Sequence, residues 1–174
     1  MYKAIAGLML VLLWAGCRKD SRERLFEMVY PNFTFEIPPG FAPTRALVFE
    51  FDDINTNFAT YLQQSNTDPA LIYAINPTYA RITSLDDQSL FFVEQISVRF
   101  CTNNGEECSF ADEVFYIDDL RGRADEVVDL LPSLRNVKTL MSGQDFRMEI
   151  VFFLNDFTPY SNFCRLDMTF EAVK

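Results

Sequence analysis

Cysteines are the residues of this chain best equipped for chemistry, and there are four of them. Cys101 and Cys108 stand symmetrically about Asn104-Gly105, the strongest short-range marker of a two-residue hairpin turn. Counting outward from that turn sets the two thiols opposite one another on the ladder, within the Cα separation a disulfide needs. The spacing therefore predicts a Cys101–Cys108 disulfide, with two free thiols as the alternative. Redox catalysis is not expected, because the spacing is not Cys-x-x-Cys and nothing nearby would lower a thiol pKa. Cys164 falls in an apolar alternation and reads as a small core residue.

Carboxylates come next. Asp52-Asp53, Asp86-Asp87 and Asp118-Asp119 sit near predicted strand ends, where loops of a β-domain could gather oxygen ligands for calcium. Asp53, Asn55 and Asn57 begin like an EF-hand loop. Phe58 then stands where that loop needs Gly, and Gln64 where it needs Glu, so the pattern fails. Solvated loop acids are the plainer expectation, and neither a metal site nor a cofactor is predicted. Two facing carboxylates could serve a glycosidase, but their spacing singles out no pair. The chain has no histidine. That excludes Ser-His-Asp and Cys-His catalysis and most zinc and iron sites. No Gly-rich phosphate loop or nucleophile elbow is present. The chain is read as a non-enzyme. Asn32-Phe33-Thr34 matches a glycosylation sequon and is taken as chance.

The remaining cysteine, Cys17, closes an apolar stretch. Lys3 precedes an uncharged run from Ala4 to Trp14; Ala15 and Gly16 are small; Arg18-Lys19-Asp20 is abruptly charged. The run is shorter than the roughly 20 apolar residues that span a bilayer and has the parts of an export signal. Trp14-Ala15-Gly16-Cys17 resembles the lipobox of bacterial lipoproteins, although Trp14 replaces the usual Leu, Val or Ile. The resemblance implies cleavage after Gly16 and acyl chains on Cys17, and more than one such chain makes a lasting anchor. Arg18 rather than Asp follows the cysteine. By the same resemblance this implies the outer membrane, with Lys19-Asp20 only partly matching a surface-display signal, so the leaflet is not set. The expected organisation is a signal over 1–16, a lipidated cysteine and charged tether over 17–24, and one domain over 25–174.

The net charge is −10, without a basic stripe, so nucleic acid is not an expected partner. The elements that must hold the candidate groups are read from period-two alternation. Strands are predicted at 33–37, 47–51, 71–75, 80–85, 96–100, 114–117, 127–131, 146–154 and 164–172, with Asn76-Pro77 breaking the third from the fourth. Apolar residues on both faces of 146–154 mark an interior strand, or one covered by another element. Phe58 and Leu62 suggest a short helix. Leu134, Val137, Leu140 and Met141 suggest another. Gly40, Gly105, Gly122 and Gly143 fall at breaks in the pattern. The fold class expected is all-β: a single antiparallel β-sandwich of about seven to eight strands with one or two short helical connections. Ile37-Pro38-Pro39-Gly40 is similar to a turn found near the N-terminus of uncharacterised lipoproteins of Bacteroidota, a resemblance that implies no activity.

Function is therefore expected to lie in contact. The leading expectation is a membrane-anchored interaction or accessory module of the cell envelope, bound to another envelope protein. The alternative is a surface lipoprotein that binds a glycan or peptide. Phe41, Phe58, Tyr61, Tyr79, Phe157, Tyr160 and Phe163 are the loop aromatics that could form such a surface. Folding back onto the ends of the sandwich is the competing expectation for each.

Overall fold

The structure is a computed structural model that describes residues 22–174. The signal, Cys17 and the tether as far as residue 21 lie outside the described residues. The chain forms β1 (Arg24–Ile37), β2 (Leu47–Asn55), α1 (Phe58–Ser65), β3 (Ala74–Ser84), β4 (Val93–Cys101), β5 (Glu113–Ile117), β6 (Val127–Pro132), α2 (Lys138–Met141), β7 (Asp145–Leu154) and β8 (Asn162–Val173). Every ladder is antiparallel, in the order β1-β8-β3-β6-β5-β4-β7-β2. The fold is all-β, as the alternation predicts.

The eight strands make one sheet bent upon itself. The bend falls where β5 meets β6 through only two pairs, Phe115–Pro132 and Tyr116–Leu131. Two four-stranded halves then face each other, and their inward side chains form the core. Phe100 stacks on Phe146 at 4.5 Å between ring centroids, and Phe170 of the other half meets Phe100 at 5.5 Å and Phe115 at 5.4 Å. All four rings are fully buried. Burying each contributes about 1.5–3 kcal/mol, and the offset and edge-on pairings add to that. The free edges, β1 and β2, come together where Phe35 meets Phe49 at 4.6 Å and Phe33 meets Phe51 at 5.6 Å. The sheet is thereby nearly closed.

α1 covers part of the β1 edge. The Val29 N–H donates to the Tyr61 hydroxyl at 3.0 Å, and that hydroxyl donates to the Val29 carbonyl at 3.0 Å. The Tyr61 ring lies parallel to Phe26 at 6.3 Å, which holds the phenol over the strand.

Four expectations are corrected. β1 begins at Arg24, inside the stretch assigned to the tether, and runs nine residues ahead of the predicted Phe33. Its inward residues are Phe26, Met28 and Tyr30, then Phe35 and Ile37. A bulge between Tyr30 and Phe33 switches the alternation from even to odd positions, with Asn32 at φ 66°. The predicted strands 71–75 and 80–85 are one strand, β3, preceded by a single 3-10 turn at Pro69–Leu71. Pro77 is tolerated because β6 pairs only with Ala80–Thr83, so at Pro77 the strand has β8 alone as a neighbour. The helix read from Leu134 onward is reduced to the single turn α2, with Leu134 fully exposed. The fourth correction concerns the hairpin at Asn104-Gly105 and is given with the site.

Candidate functional site

Alternating strand direction sends three of the seven connections to one end of the molecule and four to the other. One end, here called basal, carries the β2–β3, β4–β5 and β6–β7 connections and both described termini, where the Lys174 N–H donates to the Glu23 carbonyl. The other, distal, end carries the β1–β2, β3–β4, β5–β6 and β7–β8 connections.

The basal end holds the cysteine pair. Cys101 and Cys108 are joined as a disulfide, with Cα atoms 5.5 Å apart. The route between them is not the tight ladder hairpin read from the sequence. β4 stops at Cys101, β5 starts at Glu113, and the last ladder pair is Arg99–Glu113, beyond a register shift. Residues 102–112 form a wide loop that ends in a 3-10 turn at Phe110–Asp112, boxed by Ser109 and Asp112. Asn104-Gly105 still makes a turn, with Gly105 at φ 80°. The disulfide therefore closes a loop rather than crossing a ladder.

Beneath that loop, the outer face of β4 and β7 carries buried charge, which the sequence did not single out. Arg147 is 8% exposed and Glu149 3%, and they lie 3.2 Å apart. Glu50 is 3.1 Å from Arg147 on its open side. The buried Nε of Arg147 has no hydrogen-bond partner, and Asp52 is 3.5 Å from it. Glu149 accepts the Cys108 N–H at 3.0 Å. Arg99 lies over the Phe110 ring at 4.3 Å and donates to Ser97 at 3.3 Å, and the Ser97 hydroxyl donates to Glu113 at 2.6 Å. Buried charge persists only when paired. Arg147 and Glu149 meet that need by pairing with one another, the Arg147 Nε excepted, and Glu149 and Arg99 fasten the loop at Cys108 and Phe110.

Between the loop and the α2 segment lies a cleft of about 410 Å³. Glu106, Glu107 and Asp112 stand on the loop side, and Asn136, Thr139 and Leu140 on the other. Arg135 closes across to Asp112 at 2.9 Å. Burial alone would raise the Asp112 carboxyl. Hydrogen bonds from the Ser109 hydroxyl and N–H and from Arg135 outweigh it and hold the carboxyl below its ordinary value.

The acidic doublets are not brought together. Asp52-Asp53 lies near the basal end of β2, and the other two doublets lie in distal connections. Among the described residues no three Asp, Glu or Cys side chains are grouped to hold a metal. The second member of each doublet is left-handed: Asp53 at φ 53°, Asp87 at 54° and Asp119 at 54°. Short Asp side chains tolerate that conformation, so the doublets mark a bulge in β2 at Asp53 and bends in two connections at Asp87 and Asp119.

At the distal end the connections are tied to one another. Thr158, 2% exposed, donates through its hydroxyl to the Pro38 carbonyl at 2.7 Å and accepts the Phe41 N–H at 2.8 Å. Ser84, Gln88 and Asn162 form a second knot: Ser84 donates to Asn162 at 2.7 Å and accepts the Gln88 N–H at 3.0 Å. The Tyr160 hydroxyl donates to the Ser89 carbonyl at 2.5 Å, and burial raises its pKa. Burial, followed by the Asp86 charge, pushes the Cys164 thiol up to about 12, as suits its fully buried place in β8.

The seven candidate aromatics divide. Phe41, Phe58, Tyr61 and Tyr160 pack against the core. Tyr79 and Phe163 lie in β3 and β8 rather than in loops and are 40% and 48% exposed. Phe157 is an exposed loop aromatic at 58%. Phe91, exposed at 45% beside the fully buried Phe92, was not picked out, because consecutive apolar residues do not reveal which one points outward. Compared with known proteins, the chain matches no protein-family model and no curated protein.

Proposed function

We propose that this chain is a non-catalytic, lipid-anchored interaction module of the cell envelope, held in the outer membrane through Cys17 and working by contact with another envelope protein. One observation carries the reading. The chain enters the described domain at the basal end, at Arg24, which puts the distal connections, with exposed Leu85, Phe91 and Phe157, at the far end; the basal end exposes Leu71, Tyr73, Phe110 and Leu134 as well. A tether at residues 17–23 would thus present the distal end away from the bilayer. The Trp14-Ala15-Gly16-Cys17 sequence supports the anchor.

The test is purification of the protein from its own membranes in mild detergent, followed by mass spectrometry. Acyl chains on Cys17 and an envelope protein in fixed ratio are the expected result. An unmodified N-terminus, or the protein alone, counts against the reading. The second reading is a glycan- or peptide-binding lipoprotein. The basal cleft favours it, because its volume and its amide, hydroxyl and carboxylate lining suit a small polar ligand. A glycan or peptide array that returns a ligand, lost on Asn136→Ala with Thr139→Ala, would establish it.

A further inference from the structure

We propose that the distal end is the gripping face, and that its occupant is a protein whose docking patch has an apolar centre and a basic rim. This rests on the anchored-module reading and adds the place and chemistry of contact.

The apolar centre comes first. Leu85, Phe91, Phe157 and Phe163 are 47%, 45%, 58% and 48% exposed. They stand on neighbouring backbone. The Leu85 N–H donates to the Phe163 carbonyl at 2.7 Å, and the Asn155 N–H donates to the Phe92 carbonyl at 2.9 Å. Exposed aromatics in neighbouring connections at one end of a small domain offer the apolar contacts that a docking site uses; the basal end exposes Leu71, Tyr73, Phe110 and Leu134 as well, so it is the acidic surround that singles out the distal end. The backbone beneath them is braced by Thr158 and by the Ser84–Asn162–Gln88 knot, so little ordering is left for binding to supply.

The rim follows from charge. The four distal connections contain seven carboxylates against three arginines. Two of the arginines are already occupied: Arg121 faces Asp119 at 3.2 Å and Glu94 at 3.5 Å, and Arg123 faces Asp119 at 3.3 Å. The end is therefore acidic around its apolar side chains. An anionic lipid surface would be repelled, whereas a protein patch bordered by Lys and Arg would be attracted. The first described residues, at Arg24, lie at the opposite end.

The experiment uses the full lipidated chain in its own membranes. A photo-crosslinking amino acid, p-benzoylphenylalanine, replaces Phe157 in one variant and the fully exposed basal Leu134 in another. Position 157 is expected to capture one protein in defined ratio and position 134 to leave it uncaptured. Phe91→Ser with Phe157→Ser should lower co-purification of that protein at least tenfold, with the thermal midpoint of the variant measured alongside; Leu134→Ser should not lower it. Asp125→Lys with Glu126→Lys, two exposed distal carboxylates, should weaken the complex, and added salt should weaken the wild-type complex but the charge-reversed one less. A partner that co-purifies but crosslinks only at position 134 overturns this proposal and leaves the anchored-module reading standing. Capture of lipid at position 157, or retention unchanged by both double variants, also overturns it. If no protein co-purifies with the wild type at all, both readings fall.

Discussion

Replacing both bridged cysteines, Cys101→Ser with Cys108→Ser, is expected to destabilise the fold by about 2.4 kcal/mol. The magnitude follows from the seven-residue separation of the pair: the chain-entropy relation for so short a loop gives a loss of about 8 cal/mol/K from the unfolded state. At this chain length about 2.4 kcal/mol corresponds to a fall of roughly 5–10 °C in the unfolding midpoint. Calorimetry of the oxidised protein, the dithiothreitol-treated protein and the double variant would measure it, and the two disulfide-free forms should agree. Amide exchange gives a second readout. The Cys108 N–H is held by Glu149 and the end of the loop by the Arg99–Phe110 contact, so the Cys108 amide should stay protected without the disulfide. A midpoint shift below about 2 °C would refute the entropic argument. Free exchange at Cys108 would refute the claim that buried charge also fastens the loop.

Other outcomes follow from single contacts. Thr158→Val keeps the shape but removes two part-buried hydrogen bonds, to the Pro38 carbonyl and from the Phe41 N–H; a loss of about 1–3 kcal/mol is expected in chemical denaturation, at a net of about 0.5–1.5 kcal/mol for each bond. Cys164 is fully buried with its thiol pKa pushed up to about 12, so a maleimide at pH 8 should label it only at the rate of unfolding, and prompt labelling of the native protein would contradict its core position. Asp112 has a folded-state pKa below its unfolded value. Its contribution to stability is therefore present above the unfolded pKa and lost as pH falls through the folded one. Asp112→Asn should flatten the acid limb of a stability–pH profile below about pH 4 and leave the slope near neutrality unchanged.

Alternation revealed most of the sheet because one face of nearly every strand meets the core. Leu47–Phe51, Ile96–Phe100 and the two long final strands were legible for that reason. The part of β1 before Pro31 was not, because a bulge reverses the inward phase, and a period-two reading cannot cross a phase change. Pro77 hid the continuity of β3, since the sequence does not say on which side a strand lacks a neighbour. Cysteine spacing pointed to the pair, whereas the loop between them depends on Glu149, which is distant in sequence and buried only by folding. The distal face was half legible: Phe157 and Phe163 stood out as aromatics near a break, and Phe91 was hidden beside Phe92.

The Tyr61 phenol bears on how the edge of β1 is covered. β1 is a 14-residue edge strand, and an open edge of that length is a template on which another copy can add its own strand and begin an aggregate. Most sheets guard such an edge with charge, proline or a bulge. This chain has the bulge at Asn32, and nearer the basal end it uses one hydroxyl that both accepts from and donates to Val29, as a neighbouring strand would. The residue acts as a dummy strand one position long. Its hold on the edge is no stronger than the packing of α1, a helix none of whose residues is fully buried. Access to this edge thus depends on a short surface helix at the basal end, away from the distal face.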